Sequence, residues 1–317
     1  MRGFVLNDGS ASEIGFAEAA AQFGIAQFVW LHLDGRKEDA QAWLKTQTDI
    51  PEIARSALLA SETRPRSDTI GHGALVNLRA LGATPDDDPD PLVSIRFWGQ
   101  TGRAISLTYR SPLALEPVIA QFLEGEISDG GDLVSEVAVH ITGQLDPHIA
   151  AMGDVLDDIE VGLENERLRS LRRKVNHVRS RAISYRRFVA PQRTALERLA
   201  ANPSDWLDED DRLHLRDAAD RFARMAEELE SIRERAAIVH DELTDLRAEQ
   251  LDARSLVISI VAFVFLPLTF LTGLLGMNVE GIPYAKEAWA FWGVVGVCIM
   301  LSLLVIGYFV RRRWLER

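Results

Sequence analysis

Gly276-Met277-Asn278 stands where an uncharged apolar run gives way to a short polar loop, a place where an amide can meet an ion arriving from water. Positions three and four apart on the preceding run bring Gly273, Thr269, Leu266, Ala262, Ser259 and Ser255 to one face, with Asp252 just below. That stripe is small, weakly polar and uncharged. It carries no His, Cys or carboxylate within the apolar zone, the donors that a dehydrated, tetrahedral zinc would need. The chemistry it permits is passage of a divalent cation that keeps much of its water, met by backbone oxygen, the Thr269 hydroxyl and the Asn278 amide. Beyond the triplet, Glu280 and Glu287 add negative charge that raises the local cation concentration, opposed only by Lys286. Pro267 removes a backbone donor, which loosens the Phe263 carbonyl and predicts a kink or an extra oxygen on the path. Isolated from this context, the triplet reads as a helix C-cap.

Two apolar runs must position these groups. No charged residue appears from 255 to 276, nor from 288 to 310, and each run meets the ~20 residues that cross ~30 Å of hydrocarbon as a helix. Arg311, Arg312, Arg313 and Arg317 close the chain, so the C-terminus is expected on the cytoplasmic side. Two spans return the chain to its starting side, and the first residues lack a basic flank followed by an apolar stretch, so the N-terminus is expected there too. One helix cannot enclose a path, which makes a homo-oligomer in the lipid bilayer part of the reading. Gly273 and Gly276, and Gly293 and Gly296 on the second run, allow close backbone approach.

The remainder of the chain is polar. The net charge of −12 argues against nucleic acid as partner and is compatible with drawing cations toward a membrane mouth. Cys298 is the single cysteine, so no intramolecular disulfide framework exists. Residues 1–130 read as an α/β domain, with strands over 28–34, 74–78, 92–98 and 104–109, helices over 37–46 and 51–61, and Gly99 and Gly102 in a turn. The acidic stretch 86–90 reads as a solvated loop. Residues 131–205 read as a helical hairpin. Its first arm has the apolar stripe Met152, Leu156, Ile159 and Leu163 beside the acidic Asp154, Asp157, Glu160 and Glu164, and its basic second arm, 169–198, is expected to complement that charge. Residues 202–205 then break the chain and supply caps.

Residues 206–254 form a stalk. Phe222, Met225, Leu229, Ile232, Ala236, Val239, Leu243 and Leu246 alternate spacings of three and four, and no Pro or Gly intervenes before Pro267. One helix running into the first span, 255–277, is predicted, its stripe favouring self-association. An external loop over 278–287, a second span over 288–310 and a basic cytoplasmic tail over 311–317 complete the chain. No phosphate-binding glycine loop, metalloprotease helix or nucleophile motif is visible, and the seven histidines are scattered. His32 and Asp34 share a strand face and read as a satisfied pair.

The string 267–278, followed by Pro283, a second span and a terminal basic cluster with Trp314, strongly resembles the CorA family of divalent-cation transporters. Supporting features are 62–66 before a strand, Leu215-Arg216-Asp217 with Asp220 at the stalk start, and the acidic 157–160 helix. The resemblance implies a homopentamer of the inner (plasma) membrane, with a cytoplasmic funnel and the first span lining the pore. It implies Gly276 and Asn278 as the external selectivity ring, Thr269 and Gly273 below it, and Leu266 and Ile258 as apolar constrictions. No covalently bound cofactor is implied; the cargo is Zn2+ or Mg2+, and the family's main branch implies as the alternative a magnesium or cobalt channel closed by intracellular metal. Gly281-Ile282-Pro283, with no acidic residue just after the proline, looks like the zinc-transporting ZntB branch, whereas Met277 is usual in magnesium members. A membrane-anchored scaffold, with the stalk merely joining subunits, is the reading from another class.

Overall fold

The computed structural model describes residues 1–61, 63–83, 92–162, 168–277, 282, 284 and 286–315. The chain divides into two compact units, Met1–His240 and Asp241–Arg317.

The first unit is built on a seven-stranded mixed sheet in the order β2-β1-β3-β7-β6-β5-β4. Its strands are β1 (Arg2–Asn7), β2 (Ser10–Ile14), β3 (Phe28–Asp34), β4 (Arg66–Ile70), β5 (Gly73–Leu81), β6 (Leu92–Gln100) and β7 (Arg103–Thr108). Only β3 and β7 pair in parallel. Alternate residues of β3 serve two different cores, as a two-residue period requires when both faces are covered. Val29, Leu31 and Leu33 join the core formed with α1 (Phe16–Ala21), α2 (Glu38–Thr46) and α3 (Glu52–Leu59). Phe28 and Trp30 join the core formed with α4 (Leu115–Glu124), α5 (Gly130–Gly162), α6 (Leu168–Ala200) and the first half of α7 (Glu209–Leu275). Phe4 stacks on Trp30 at 4.6 Å, and Phe122 of α4 meets both rings edge-on at 5.8 and 5.9 Å. The strands over 28–34, 74–78 and 92–98 and both early helices are therefore where the sequence pattern puts them.

Four features differ from the sequence reading. Gly99 lies inside β6 opposite Ala104, and the hairpin turn is carried by Gly102 at φ 75°. The hairpin of β1 and β2, together with α1 and α4, has no counterpart in that reading. Residues 202–205 do not cap α7. Asp208 does, its Oδ1 accepting from the Asp211 N–H at 2.8 Å while Asp211 Oδ2 accepts from the Asp208 N–H at 2.9 Å, a reciprocal capping box. The acidic end of α5 is not complemented by α6 alone: Asp157 and Glu160 both accept from Arg235 of α7, and Arg186 of α6 pairs with Glu230 of α7 at 2.9 Å.

The long helix is present as one element of 67 residues, with Pro267 inside it. Its stripe is not an open seam. Phe222, Met225, Leu229 and Ile232 are buried in the same core as Met152 of α5 and Val178, Ala182, Tyr185 and Phe188 of α6. From Phe222 to Leu243 the stripe is buried within one chain, with only Leu246 half-buried, which removes its argument for self-association over that length. His32 is likewise a satisfied core residue. Its Nδ1 lies 2.8 Å from the Ser106 hydroxyl, which also accepts from the Trp30 indole N–H, and burial lowers its pKa to about 4, so it is neutral. Asp34 turns away to pair with Arg36 at 2.9 Å. Asp86–Asp90, Leu163, Glu164 and Glu62 lie outside the described residues.

Candidate functional site

The second unit carries the apolar runs. The C-terminal part of α7 and α8 (Ala288–Leu315) are each long and apolar enough to cross a membrane, and neither apolar window is buried within the chain. Phe263 of α7 and Phe309 of α8 meet at 5.9 Å between ring centres. Large apolar side chains otherwise face outward: Leu266 is 77 % exposed and Ile258 70 %. In water such a surface would cost about 25 cal/mol per Å², so it calls for lipid or another subunit.

The predicted stripe is real as a helix face. Asp252, Ser255, Ile258, Ser259, Ala262, Leu266, Thr269 and Gly273 all lie on α7, and all but the half-buried Ser259 are exposed within the single chain. The hydroxyls of Thr269 and Ser259 are tied to their own helix. Thr269 Oγ1 donates to the Phe265 carbonyl at 2.8 Å, and Ser259 Oγ to the Ser255 carbonyl at 2.9 Å. One turn on, Thr272 Oγ1 donates to the Leu268 carbonyl at 2.9 Å. A hydroxyl whose proton is committed in this way offers outward only lone pairs. The face is thus an acceptor surface, suited to the hydrogens of a cation's water shell or to the cation itself. Around Pro267 the helix is unbroken, so the freed Phe263 carbonyl is the local consequence, not a chain break. Nothing comes within 4 Å of where a Gly273 Cβ would stand, so this position presents bare backbone.

The helix ends at Leu275, and the Gly276 N–H still donates to the Thr272 carbonyl at 2.9 Å. The φ of Gly276 is outside the left-handed region, so this is not the glycine cap expected of an isolated triplet. A Cβ here would stand 3.1 Å from the Thr272 carbonyl oxygen, a tight contact that a larger residue would have to relieve by a small shift. Met277 is half exposed at the last described position before 278–281, so Asn278 and Glu280 lie outside the described residues. Glu287 is exposed at the start of α8, its N–H donating to the Tyr284 carbonyl at 3.0 Å and its carbonyl accepting from Ala290 at 3.1 Å. Those bonds are all backbone, and its carboxylate is in solvent beside Lys286. Among the described residues, a Cβ at Gly296 would meet nothing within 4 Å, and one at Gly293 only Trp289 of the same helix.

These features match a known group along most of the chain. Residues 26–313 match the family described as CorA-like Mg2+ transporter protein. The chain belongs to the CorA family. Among curated CorA-like proteins, it is 35 % identical over 290 residues to the "Zinc transport protein ZntB" of Klebsiella pneumoniae, covering 90 % of this chain and 88 % of that one. Among solved structures, the full-length CmaX protein is 31 % identical with a TM-score of 0.79, covering 99 % of this chain and 98 % of the other. The CorA magnesium transporter of Methanocaldococcus jannaschii is 15 % identical, with a TM-score of 0.82 over 98 % of this chain and 97 % of the other, a likeness of fold.

Sequence reasoning passed over one cluster in this CorA-family chain. Carboxylate oxygens of Asp129, Asp132 and Asp211 lie within 4.8 Å of one another, at the N-terminal turns of α5 and α7. Burial, with Asp129, Asp208 and Asp132 nearby, pushes Asp211 up to about 7, and burial raises Asp129 as well. The available signal was the pair of short motifs 128–132 and 208–211, each setting an acidic residue three positions from another at a helix start.

Proposed function

We propose that this chain is a divalent-cation transporter of the inner membrane, with zinc as its cargo, and that it works as a homopentamer whose α7 helices line one central path. The observation that carries this reading is membership of the CorA family over 26–313, with an uncharged acceptor face on α7 leading to Gly276-Met277-Asn278. Zinc is supported by the 35 % identity to a ZntB zinc transport protein. Asn278 with Gly276 and Met277 forms the entrance. Gly273, Thr269, Leu266, Ala262, Ile258 and Ser255 line the path down to Asp252. The soluble unit and both termini are cytoplasmic, as the arginines at 311–313 support.

With no acidic or imidazole ligand on the face, the ion crosses with most of its water, oriented by hydroxyl and carbonyl lone pairs. Leu266 and Ile258 narrow the path with apolar rings, which set its resistance to flow. Nothing on the face binds the ion tightly enough to hold it. The family's chemistry is transport, and no reaction at a substrate bond is part of this reading.

Met277 and the family description support a second reading, in which magnesium is the cargo. Purified protein in liposomes distinguishes the two. Zinc entry that exceeds magnesium entry under competition, at several pH gradients, is expected; magnesium entry undiminished by zinc would reverse the cargo, and no flux of either ion would leave a membrane-anchored scaffold.

At the mouth, Glu280 and Glu287 from several subunits add their fields before the ion reaches Asn278. Exchanging both for Gln is expected to slow uptake more at low than at high salt, because the Debye length is about 8 Å at physiological ionic strength and shortens as salt rises. Equal losses at both ionic strengths would mean direct coordination or a damaged loop. Unchanged flux would remove the loop from ion attraction altogether.

A further inference from the structure

Two helices of the soluble unit begin against each other. At the start of α5, Asp129 Oδ1 accepts from the N–H groups of Gly131 at 2.7 Å and Asp132 at 3.1 Å, while Asp132 Oδ2 accepts from the Ser128 N–H at 2.8 Å and its hydroxyl at 2.5 Å. At the start of α7, Asp211 closes the capping box with Asp208. Asp211 is 2 % exposed. Its carboxylate rests directly on the first turn of α5, because a Cβ on Gly131 would stand 2.0 Å from Asp211 Oδ2. Any side chain at 131 would displace the Asp211 carboxylate from this position. Trp206 covers the neighbouring Gly130, where a Cβ would lie 3.3 Å from the indole.

The charged groups that face Asp211 are all acidic: Asp129 and Asp132 from α5 and Asp208 from its own helix. The adjacent cation, Arg212, is directed elsewhere, donating to the carbonyls of Ala200, Asn202, Ser204 and Leu207. Two helix N-termini supply partial positive charge, enough to favour some anion but not three carboxylates in one small space. A proton shared within the group relieves that repulsion and adds an O–H donor where acceptors otherwise face acceptors.

We propose that Asp211 and Asp129 form a proton-binding site that clamps the first turn of α7 to the first turn of α5, and that losing this proton loosens the junction. The site makes the start of the long helix responsive to the pH of the surrounding solution. It is independent of the transport reading, since both residues lie in the first unit and its test needs no ion flux.

The sign follows from linkage. Asp211 has its pKa raised to about 7 in the folded chain from an ordinary value of 3.8. The closed junction therefore binds the proton more tightly than the open one, so stability is full below pH 3.8 and is lost progressively as pH rises toward about 7, with no further loss above. Over that window the opening equilibrium shifts by up to about tenfold per pH unit.

Hydrogen–deuterium exchange on the full-length protein in detergent, corrected for the intrinsic pH dependence of exchange, reads this directly. Peptides covering 128–135 and 208–215 are expected to lose protection as pH rises from 5 to 7 and to level off by 8, while peptides within β3 stay flat. Asp211→Asn keeps the shape and removes the titration, so it should flatten the profile; Asp129→Asn removes one neighbouring charge but leaves Asp211 buried, so it should move the loss of protection to lower pH, and it decides the matter if the first variant does not fold. Protection in the wild-type peptides that does not change with pH would overturn the proposal, as would a slope that survives in folded Asp211→Asn or one that stays at the wild-type pH in folded Asp129→Asn.

Discussion

Asn278→Ala is expected to abolish cation uptake while the oligomer stays intact. The substitution removes an amide from every subunit at once, at the one place where the acceptor face of α7 gives way to the outer loop. A hydrogen bond to a charged partner contributes about 1.5–3 kcal/mol, so even one lost contact in the rate-limiting position slows passage by roughly ten- to a hundredfold. In the proposed oligomer, with one Asn278 from each subunit, the combined loss exceeds that. The stalk and the soluble core contain no part of residue 278, so mass measurement of the solubilised protein should give the same oligomer for the variant. Zinc flux into liposomes supplies the decisive reading. Normal flux through Asn278→Ala would reduce the triplet to a helix terminus and remove it from the path.

How much of this was legible in the sequence depended on whether the signal was periodic. β3 and β6 read as strands because apolar residues on both faces crowd a short run broken only by His32 in the first and by Ser94 and Arg96 in the second, and α2 and α3 because their apolar spacing follows a helical turn. The face of α7 from Ser255 to Gly273 is legible for the same reason, since position alone decides which residues of a helix share a side. The β1–β2 hairpin escaped because β2 reads Ser-Ala-Ser-Glu-Ile, polar residues in an edge strand whose pairing comes from its partner and not from its own composition. The heptad stripe was legible as a stripe but not as to partner. A seam between subunits and a core against α5 and α6 use the same apolar spacing, and only the fold brings Val178, Ala182, Tyr185 and Phe188 opposite it. The Asp129–Asp211 contact joins positions 82 apart and rests on the missing side chain of Gly131, a relation that no local pattern carries.

That ambiguity of the stripe has a large measurable consequence. Leu229 is fully buried between α7 and its neighbours in the same chain, so Leu229→Ala is expected to destabilise the soluble unit by about 2–5 kcal/mol through lost burial and the cavity left behind. For a unit of this size each kcal/mol moves the unfolding temperature by about 2–4 °C, so a loss of about 3 kcal/mol lowers it by roughly 6–12 °C. The oligomer should survive below that temperature, because the substituted side chain faces the chain's own helices. Ile238, on the same helix but 67 % exposed within the chain, provides the contrast: Ile238→Ala leaves the core untouched and should change the stability of the soluble unit by no more than about 0.5 kcal/mol. Thermal unfolding and mass measured on the same samples separate burial within a chain from burial between chains. A Leu229→Ala protein that dissociates at an unchanged unfolding temperature would turn the stripe back into a subunit seam, and the core assigned to α5, α6 and α7 would have to be wrong.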